Sequence, residues 1–505
     1  MCKRTLTAIM IGFVLSNCLA QTDISEGDIS GTWSLTNSPY HIDGEITIPD
    51  GQTLTIEPGV QIIFTGHYKF NIQGRLLAVG TEQDSIVFTA QDHETGWHGL
   101  KFDNTPGAND SSLIAYSRLE YGKSNTGTGE VNRCGGAVFI RCDKVRISHC
   151  LFQHNYSYHP VLQQTGGGAI AVIGKPIIEY CEIKNNDSAF GGAFIIWYSP
   201  SSNAQIRNNY IHHNTGHGTI NIGGGASPLL ENNLIVNNHS NTHGVIHFSN
   251  DGGRAVLINN TIANNSCEGP GGAIFVNHGL APLFMNNIIS GNSPAQVRLE
   301  APSSLHFYHC LIDGGESGFS GAAFTGTCQN CLDSDPCFSD TVNHDYHLSS
   351  TSPCIGAGAD SIQLGNKWYD APLNDFHGNG RPDPAGSGLD IGTFENVLGG
   401  PITHVEEIMD RLPQTCELMQ NYPNPFNPAT TIHYQLGKSS HITLEIMNLR
   451  GQRILTLVDE IKTAGDHSVN WNGTNQFGQS IPSGVYLYYI KSGDFIQFRK
   501  LMFIQ

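Results

Sequence analysis

The stretch Ile206-Arg-Asn-Asn209-Tyr-Ile211-His-His-Asn214 decides the fold of this chain, because its pattern recurs about every 25 residues. The pattern is Asn or Cys, an apolar residue two positions later, usually Ile, and Asn three positions after that. Its copies lie at 150–155, 181–186, 209–214, 233–238, 260–265 and 287–292, with a degenerate copy at 310–315 and a fainter one at 117–122. A period of 20 to 50 residues predicts a solenoid or a propeller.

The rest of the repeat favours the solenoid. An apolar residue precedes each copy by three positions, as Ile206 precedes Asn209, and Gly-Gly-Ala triplets lie upstream at 135–137, 167–169, 191–193 and 271–273. The runs between these marks are short and β-branched, without a 3.6-residue apolar period. A propeller blade needs roughly 40 residues. We therefore predict an all-β chain whose body, about residues 30–395, is a parallel β-helix.

The asparagines that end the pattern are predicted to stack into a ladder. Equivalent residues of adjacent coils lie about 4.8 Å apart, Asn accepts left-handed turn geometry, and its amide can donate to the Asn one coil away. The ladder comprises Asn155, Asn186, Asn214, Asn238, Asn265 and Asn292. Cys150, Cys181 and Cys310 replace Asn at the first position, where we expect small buried thiols. A Cys150–Cys181 disulfide is the alternative.

The N-terminus resembles a secretory signal peptide. It has a basic start, an apolar run from Leu6 to Leu15 and small residues before Ala20, where we expect cleavage. An alternative makes Cys18 a lipoprotein cysteine. The apolar run is too short to span a bilayer, and no later stretch is long enough, so no membrane-spanning segment is predicted.

The charge balance excludes one class of partner. The chain carries 44 acidic against 26 basic side chains, a net charge of −18, and has no basic block. Nucleic acid, or an acidic polysaccharide held by charge alone, is therefore disfavoured. The 13 cysteines permit disulfides if the chain is exported.

Residues 418–505 form a separate module, which the alternating strands and short turns predict to be a small β-sandwich of six or seven strands. It closely resembles the type A C-terminal sorting domain of the type IX secretion system, which is similar to the Ig-like domain of flagellar hook-capping proteins. The matching motifs contain Asn421, Pro423, Pro425, Phe426, Gly451, Trp471 and Gly484. The resemblance implies export by the type IX secretion machinery, and a protein that is released or displayed on the cell surface.

A second resemblance covers the end of the repeats. The motifs Asp335-Pro-Cys, Ser352-Pro-Cys, Asp375-x-x-Gly378-x-x-Arg381 and Asp390-Ile-Gly match the tail of many secreted right-handed, pectin-lyase-like β-helix proteins. It implies a C-terminal cap over the last coil, whose edge would otherwise be unpaired. In this cap we expect Cys328, Cys331, Cys337 and Cys354 to form one or two disulfides; a zinc site is the alternative.

These boundaries divide the chain into six parts. They are a signal peptide (1–20), an N-terminal cap with the first coils (21–116), the β-helix repeats (117–319), the cap (320–395), a linker (396–417) with a short helix near 405–411, and the sorting domain (418–505).

The candidate ligand site is a strip on the strand that follows each Gly-Gly-Ala. Two positions of this strand are uniformly apolar and must face the core, so the position between them must face outward. The strip contains Phe139, Arg141, Trp197, Asn221, His247, Phe275 and Asn277. Exposed aromatic rings beside polar groups suit a polysaccharide or cell-surface glycan. The alternative is that flanking loops, such as 123–134 and 156–166, cover the strip.

The pectin-lyase-like resemblance also implies an enzyme hypothesis. Lyases of that kind use an acidic calcium cluster with a basic residue, and hydrolases need paired carboxylates. The strip contains neither Asp nor Glu, and Glu179 and Glu231 lie on another face. We therefore predict a glycan-binding protein without a metal or other cofactor, although loops could still bind calcium. A carbohydrate-active enzyme and a structural spacer are the alternatives. Metal binding by the many histidines is a further one.

Overall fold

The computed structural model describes residues 21–504 except 160, 162–164, 198–201, 250–253, 278–280, 401–415, 437, 439, 449, 451, 464 and 494. The chain divides into two compact units, Met1–Pro401 and Ile402–Gln505. The predicted signal peptide, most of the predicted linker with its helix, and Gly451 lie outside the described residues.

The first unit is a parallel β-helix of three sheets, each with twelve strands in parallel register. Sheet 1 consists of Thr22–Ile24, Tyr40–Ile42, Gln61–Phe64, Ile86–Ala90, Ser117–Glu120, Leu151–Gln153, Glu182–Lys184, Tyr210–His212, Leu234–Val236, Thr261–Ala263, Ile288–Ser290 and Leu311–Ile312. Sheet 2 consists of Gly27–Asp28, Ile46–Ile48, Phe70–Ile72, Leu100–Phe102, Val138–Ile140, Ile170–Val172, Phe194–Ile196, Ile220–Ile222, Ile246–Phe248, Ile274–Val276, Val297–Leu299 and Ser320–Gly321. Sheet 3 consists of Gly31–Trp33, Thr53–Ile56, Arg75–Val79, Ser112–Ala115, Val145–Ser148, Ile177–Glu179, Gln205–Arg207, Leu229–Glu231, Val256–Ile258, Leu283–Met285, His306–Tyr308 and Thr327–Gln329.

Small elements complete the unit. Two short ladders extend the corner after sheet 1, formed by Tyr156–Ser157, Asp187–Ser188 and Thr215–Gly216, and by His239–Ser240 and Ser266–Cys267. The described residues contain one α-helical turn, Glu130–Arg133, and three 3-10 turns, Leu35–Asn37, Gly315–Gly318 and Thr341–Asn343. The first turn of the β-helix begins at Thr22. The described N-terminal residues therefore already belong to the β-helix and do not form a separate cap before it.

The core of the β-helix is a stack of apolar rungs. On sheet 2 the two positions predicted to face inward are fully buried, as Ile220 and Ile222 are in one coil and Ile246 and Phe248 in the next. Their strands pair residue for residue, Ile220 with Ile246 and Ile222 with Phe248. The prediction of the inward face is therefore confirmed.

Two columns of left-handed residues turn each coil. One column directly precedes the first position of the repeat, and its φ values lie between 51° and 55°. It comprises His149, Tyr180, Asn208, Asn232, Asn259, Asn286, His309 and Asn330. The other directly precedes the ladder position and comprises His154, Asn185, His213, Asn237, Asn264 and Gly291. The ladder asparagines themselves are absent from this set, so left-handed geometry and ladder formation belong to neighbouring residues, not to the same one.

The predicted ladder is present and buried. Asn155 donates through Nδ2 to Oδ1 of Asn186 at 2.9 Å, and Asn186 donates in the same way to Asn214 at 2.9 Å. The ladder continues from Asn214 to Asn238 and then to Asn265 at 3.0 Å each, and on to Asn292 at 2.9 Å.

A second ladder runs through the first position of the repeat, from Asn209 to Asn233, Asn260 and Asn287, with distances of 3.0, 2.9 and 2.9 Å. In both ladders the backbone N–H of each Asn donates to the same acceptor, for example Asn209 N to Asn233 Oδ1 at 3.1 Å. The two ladders therefore satisfy buried polar groups at two corners of every coil.

From residue 332 onward the predicted cap lies along the side of the β-helix, and only its first part, which includes Ala322 and Phe324, packs against the end of the core. Residues 332–400, called here the lateral layer, contain two hairpins, Phe338–Asp340 with Asp345–Leu348 and Ser361–Leu364 with Lys367–Asp370. Tyr346 and Phe394 of the layer pack on Leu234, Val236 and Ala263 on the outer face of sheet 1. The end of the core is instead contacted by Phe319 and Phe324, whose rings lie 5.7 and 6.3 Å from that of Phe307.

The lateral layer is also fastened by the left-handed asparagines. Asn232 Nδ2 donates to the carbonyl of Asn374 at 2.7 Å, and Asn286 Nδ2 donates to that of Ala359 at 2.8 Å. Asn259 Nδ2 donates to Asp390 O at 3.2 Å in the coil between them. In these three Asn-Asn doublets the first residue thus binds the layer, and the second enters the inner ladder.

The predicted cap disulfides are not formed in this structure. All eleven described cysteines are free thiols, including Cys328, Cys331, Cys337 and Cys354. Cys150, Cys181 and Cys310 are buried, as predicted for small side chains at the first position of the repeat.

The second unit is a β-sandwich of seven strands, which confirms the predicted fold. Its two sheets contain Glu417–Leu418, Thr430–Leu436 and Gly465–Trp471, and Arg453–Lys462, Ser440–Met447, Gly484–Ser492 and Phe495–Phe503. Phe426 and Trp471 lie in its core, with ring centroids 5.4 Å apart, and Asn421 donates to Thr430 Oγ1 at 2.9 Å. Pro423 and Pro425 are exposed, and Gly484 begins a strand.

Candidate functional site

The strip predicted on sheet 2 points away from the core but is covered. Phe139, Asn221, His247 and Phe275 are each at most 2% exposed. The prediction of an exposed aromatic surface is therefore wrong for these four residues, and the alternative that flanking segments cover the strip is confirmed. The segment 123–135 and the small apolar cluster described next supply the cover at the N-terminal end.

Phe139, Arg141 and Trp197 belong to one cluster. Phe139 packs with Cys134, Ala171 and Ile195, and Trp197 lies half-buried at its edge. Arg141 stacks on Phe139 at 5.2 Å and forms ion pairs with Asp103 at 2.9 Å and Glu130 at 2.6 Å. The cavity left between these side chains is about 10 Å³, which is no larger than the space one water needs. This end of the strip cannot admit a sugar ring as it stands.

Asn221, His247 and Phe275 form a second cluster, three to five rungs away from Phe139 along the sheet. Ser249 donates to Asn221 Oδ1 at 3.0 Å, and Asn221 Nδ2 lies 2.9 Å from His247 Nδ1. Burial lowers the pKa of His247 to about 3, so the imidazole is neutral and accepts from Asn221. Asn277 is half-buried at the end of its strand. The arrangement is a small polar network beneath a covered face.

Three basic side chains hold the covering segment 123–135 in place. His67 Nε2 contacts the carbonyl of Lys123 at 2.7 Å, and His98 Nε2 contacts that of Asn132 at 2.7 Å. Lys101 is fully buried and donates to Ser124 Oγ at 2.7 Å, Gly135 O at 2.9 Å and Cys134 O at 3.2 Å. Its three N–H groups are therefore satisfied without a carboxylate.

This arrangement predicts a pH-dependent stability. Burial lowers the pKa of Lys101 from 10.5 to about 7, so between these values the unfolded chain binds a proton that the folded chain has lost. Unfolding therefore becomes less favourable as pH rises through 7 toward 10.5. Between pH 7 and 9 the unfolding free energy of the wild type should rise by about 2 kcal/mol relative to that of Lys101→Met. Urea titrations of both proteins at each pH measure the difference, and parallel pH profiles would contradict it.

The groove that can admit a ligand lies beside sheet 3. Its floor is the outer face of Leu229–Glu231 and Val256–Ile258, and its wall is the hairpin strand Lys367–Asp370 of the lateral layer. The volume is about 560 Å³, within the range of small-molecule sites. The lining residues are Asn203, Ser227, Pro228, Leu229, Glu231, Arg254, Val256, Ile258, Lys367, Tyr369 and Asp370. An apolar floor thus meets an aromatic ring and four charged groups.

The charged groups of this groove differ in environment. Burial raises the pKa of Glu231 above its usual range, against the opposing effect of Arg207 and Arg381. Asp370, Arg254 and Lys367 are exposed. The Lys367 ammonium lies 4.5 Å from the Tyr369 ring centroid, which fixes the ring in the wall. The groove therefore contains the Glu231 carboxyl group, whose pKa is raised, beside the Asp370 carboxyl group, which is exposed to solvent.

Glu179, two coils from Glu231 on the same face, is not available in this way. Its carboxylate is buried and accepts from Arg146 Nε and Arg207 Nε, both at 2.7 Å. Residues 179, 207 and 231 are stacked in register on sheet 3. Arg146 and Arg207 therefore neutralise Glu179. Glu231 is the carboxyl group of sheet 3 that faces the groove.

The sequence placed Glu231 on a face other than the strip, which is correct, but did not associate it with a site. The other wall comes from Lys367–Asp370, which belongs to no repeat and whose position depends on the lateral layer. One signal was available: the pair Trp368-Tyr369, next to Lys367 and Asp370, stands in a segment of otherwise small and polar residues.

In the part of the chain that the structure describes, no three His, Cys, Asp or Glu side chains are grouped so as to hold a metal ion. Within the same residues, no helix has the length and apolar character that a bilayer crossing requires.

Comparison with known proteins agrees with the architecture. Residues 122–250 and 195–344 match the family model for the right-handed β-helix region, and residues 427–494 match that for the FlgD Ig-like domain. The chain is thus a right-handed β-helix followed by an Ig-like sandwich. No curated protein matches the sequence.

One solved structure, that of dimeric latent PorU from Porphyromonas gingivalis, aligns with 18% of this chain at 18% identity. The alignment has a TM-score of 0.16 and covers 9% of the PorU chain.

Proposed function

We propose that this right-handed β-helix protein binds a polysaccharide in the groove beside sheet 3. The observation that carries the proposal is the combination of Tyr369 with an apolar floor and with Glu231, Arg254, Lys367 and Asp370 around it. Sugar rings present C–H faces, which pack on aromatic and aliphatic side chains, and hydroxyl groups, which need hydrogen-bonding partners at the rim. The groove supplies both.

The proposal moves the binding site away from the strip. Phe139, Trp197 and Phe275 were the aromatic residues expected to stack on sugar, but Phe139 and Trp197 pack in one cluster and Phe275 is buried. Tyr369 takes this role in the groove. Trp368, which is 57% exposed, lies on the other face of the same hairpin by strand alternation, and so provides a matched control.

The binding prediction is tested with the full chain on a panel of insoluble and soluble polysaccharides, with and without calcium. We expect retention on at least one of them, and a loss of at least about tenfold in affinity for Tyr369→Ala, equivalent to about 1.4 kcal/mol. Trp368→Ala and Trp197→Ala should bind like the wild type. If Trp197→Ala loses affinity and Tyr369→Ala does not, the groove is the wrong site. If no polysaccharide is retained, the structural-spacer alternative stands.

A glycoside hydrolase is the second candidate, and Glu231 with Asp370 favours it. Hydrolysis needs one carboxylic acid to protonate the leaving group and one carboxylate to act on the other side of the bond. The raised pKa of Glu231 suits the first task, and solvated Asp370 suits the second. The same panel distinguishes the candidates: a hydrolase releases reducing ends, and Glu231→Gln stops the release while the polysaccharide still binds. Binding without release in the wild type excludes it.

Export by the type IX secretion system is part of the proposal. It is supported by the motif residues shared with the sorting domains and by the FlgD Ig-like match over 427–494. Delivery to the outer cell surface or the medium would bring the groove to polysaccharides too large to enter a cell. Expression in a type IX-competent host tests it: removal of residues 418–505 should leave the protein in the periplasm.

A further inference from the structure

Two cysteines stack at the last corner of the β-helix. Sheet 3 pairs Tyr308 with Gln329, and on the far side of the corner Leu311 pairs with Leu332 in parallel. Cys310 and Cys331 lie between these paired positions and are therefore register equivalents on adjacent rungs. Equivalent residues of parallel strands are about 4.8 Å apart, within the Cα separation of about 4.4 to 6.8 Å that a disulfide spans.

The thiols of this corner are in contact. Cys331 Sγ donates to the carbonyl of Gln329 at 3.6 Å, and Cys310 Sγ donates to that of Tyr308 at 3.4 Å. The neighbouring Cys310 and Cys328 thiols lower the pKa of Cys331, and burial raises that of Cys310. Cys331 is half-buried, whereas Cys310 is fully buried. Cys331 is thus the thiol of this pair that an external reagent can reach, and its thiolate is the reactive form.

The chain contains a matched pair that lacks this property. Ser148 pairs with Glu179 on sheet 3, so Cys150 and Cys181 are register equivalents at the same corner of two earlier coils. Both are only 2% exposed, and burial raises the pKa of Cys181. The register of the two pairs is alike, but neither thiol of the earlier pair is accessible.

We propose that Cys310 and Cys331 form a disulfide that closes the C-terminal end of the β-helix, with Cys331 as the attacking thiol. The Cys331 thiolate attacks one sulfur of a small disulfide such as oxidised glutathione, forms a mixed disulfide and releases one thiol. Cys310 then loses its proton and attacks the Cys331 sulfur, which releases the second small thiol. Two protein thiols are oxidised, and one external disulfide is reduced to two thiols.

The bond acts where the coil stack is weakest. Ser320–Gly321 and Thr327–Gln329 are the last strands of sheets 2 and 3 and have a neighbouring strand on one side only. Such edges fray and accept foreign strands. A bond between residues 310 and 331 ties the final turn, which contains both strands, to the coil before it. An exported protein meets the oxidising conditions in which the bond persists.

The test uses the full chain, reduced under native conditions and then exposed to oxidised glutathione. Trypsin does not separate these cysteines, because the chain has no Lys or Arg between Arg298 and Lys367. Chymotrypsin cleaves after Phe319 and Phe324 and so separates Cys310 from Cys328 and Cys331. We expect the two peptides to stay joined after oxidation and to separate on reduction, while Cys150 and Cys181 remain alkylatable after denaturation.

Single substitutions identify the partners. Cys328→Ser should keep the joined peptides, whereas Cys310→Ser and Cys331→Ser should lose them. Iodoacetamide should label Cys331 at least tenfold faster than Cys310, because Cys310 is fully buried. The proposal is overturned if the peptides separate without reductant, if Cys331→Ser still joins them, or if Cys150 and Cys181 oxidise as readily. Each variant is checked for native hydrogen-exchange protection at sheet 1, so that unfolding is not read as loss of the bond.

Discussion

An Arg381→Met variant is expected to destabilise the lateral layer by about 3 to 5 kcal/mol, the usual effect of removing one partner of a buried ion pair. Arg381 and Glu395 are completely buried and 2.9 Å apart. The same guanidinium donates to the carbonyls of Gly392 at 2.9 Å and Thr393 at 2.8 Å, and to Asn232 Oδ1 at 3.3 Å. The Arg381 side chain therefore connects residues 392, 393 and 395 of the layer to each other and to Asn232 of the coil beneath.

The loss has a clear electrostatic cause. Burial already raises the pKa of Glu395 to about 7, in opposition to the attraction of Arg381. Without the guanidinium, the carboxyl group must take up a proton or reach water, and the freed carbonyls lose their donor. The layer also carries the wall of the groove, so polysaccharide binding should fall with stability although Arg381 does not line the groove.

Hydrogen exchange followed by mass spectrometry measures this effect, with faster exchange expected at 332–400. The matched control is Lys175→Met, because Lys175 forms a surface ion pair with Asp143 at 3.2 Å and its loss should cost less than about 1 kcal/mol. The double variant Arg381→Met, Glu395→Met should recover part of the stability, since neither charge remains buried alone. Equal exchange in wild type and Arg381→Met would show that the pair does not hold the layer.

Asn214→Ala is expected to lower the unfolding free energy of the β-helix by about 3 kcal/mol. Asn214 Oδ1 accepts from the backbone N–H of Asn186 at 3.1 Å and from its Nδ2 at 2.9 Å, and Asn214 Nδ2 donates to Ile183 O, His212 O and Asn238 Oδ1. Alanine leaves the buried N–H of Asn186 without an acceptor, which costs about 1 to 3 kcal/mol by itself. The lost donor bonds add to this.

Urea unfolding of the full chain provides the measurement, with the sandwich transition as an internal reference that should not move. Asn241→Ala is the matched control, because Asn241 is exposed at a nearby turn, and its effect should stay within about 0.5 kcal/mol. A midpoint for Asn214→Ala equal to that of Asn241→Ala would contradict a structural role for the ladder.

The sequence predicted correctly the features that recur in every repeat. Ile220 and Ile246 recur at a fixed place, so their inward orientation and pairing could be read from the period alone. The Asn214 ladder follows from the same stacking. Phe139 and His247 also repeat in position, but whether an outward residue is exposed depends on segments such as 123–135 that occur once. No periodicity encodes those segments.

The lateral layer shows a second limit. Asp375, Asp390 and Arg381 were recognised as motif residues, and their resemblance to known tails implied a cap over the last coil, whereas Arg381 and Asp390 contact Asn232 and Asn259 on the side of the β-helix. The position is fixed by Asn232, Asn259 and Asn286, whose repeat suggested ladder or turn roles. Each of these asparagines forms the turn with its left-handed backbone and binds the lateral layer with its side-chain amide. The repeat pattern predicted only the first of these two functions.

The direction of the Asn ladder makes whole coils interchangeable. Every amide donates toward the later coil and accepts from the earlier one, from Asn155 onward to Asn292. A coil with Asn at this position therefore presents an acceptor on one side and a donor on the other, whichever neighbours it has. Duplication or deletion of one complete coil leaves no unmatched group in the interior, whereas a change of a few residues breaks the register. The natural unit of length variation in this protein is thus the coil, and a gene can lengthen or shorten the rod without redesigning its core.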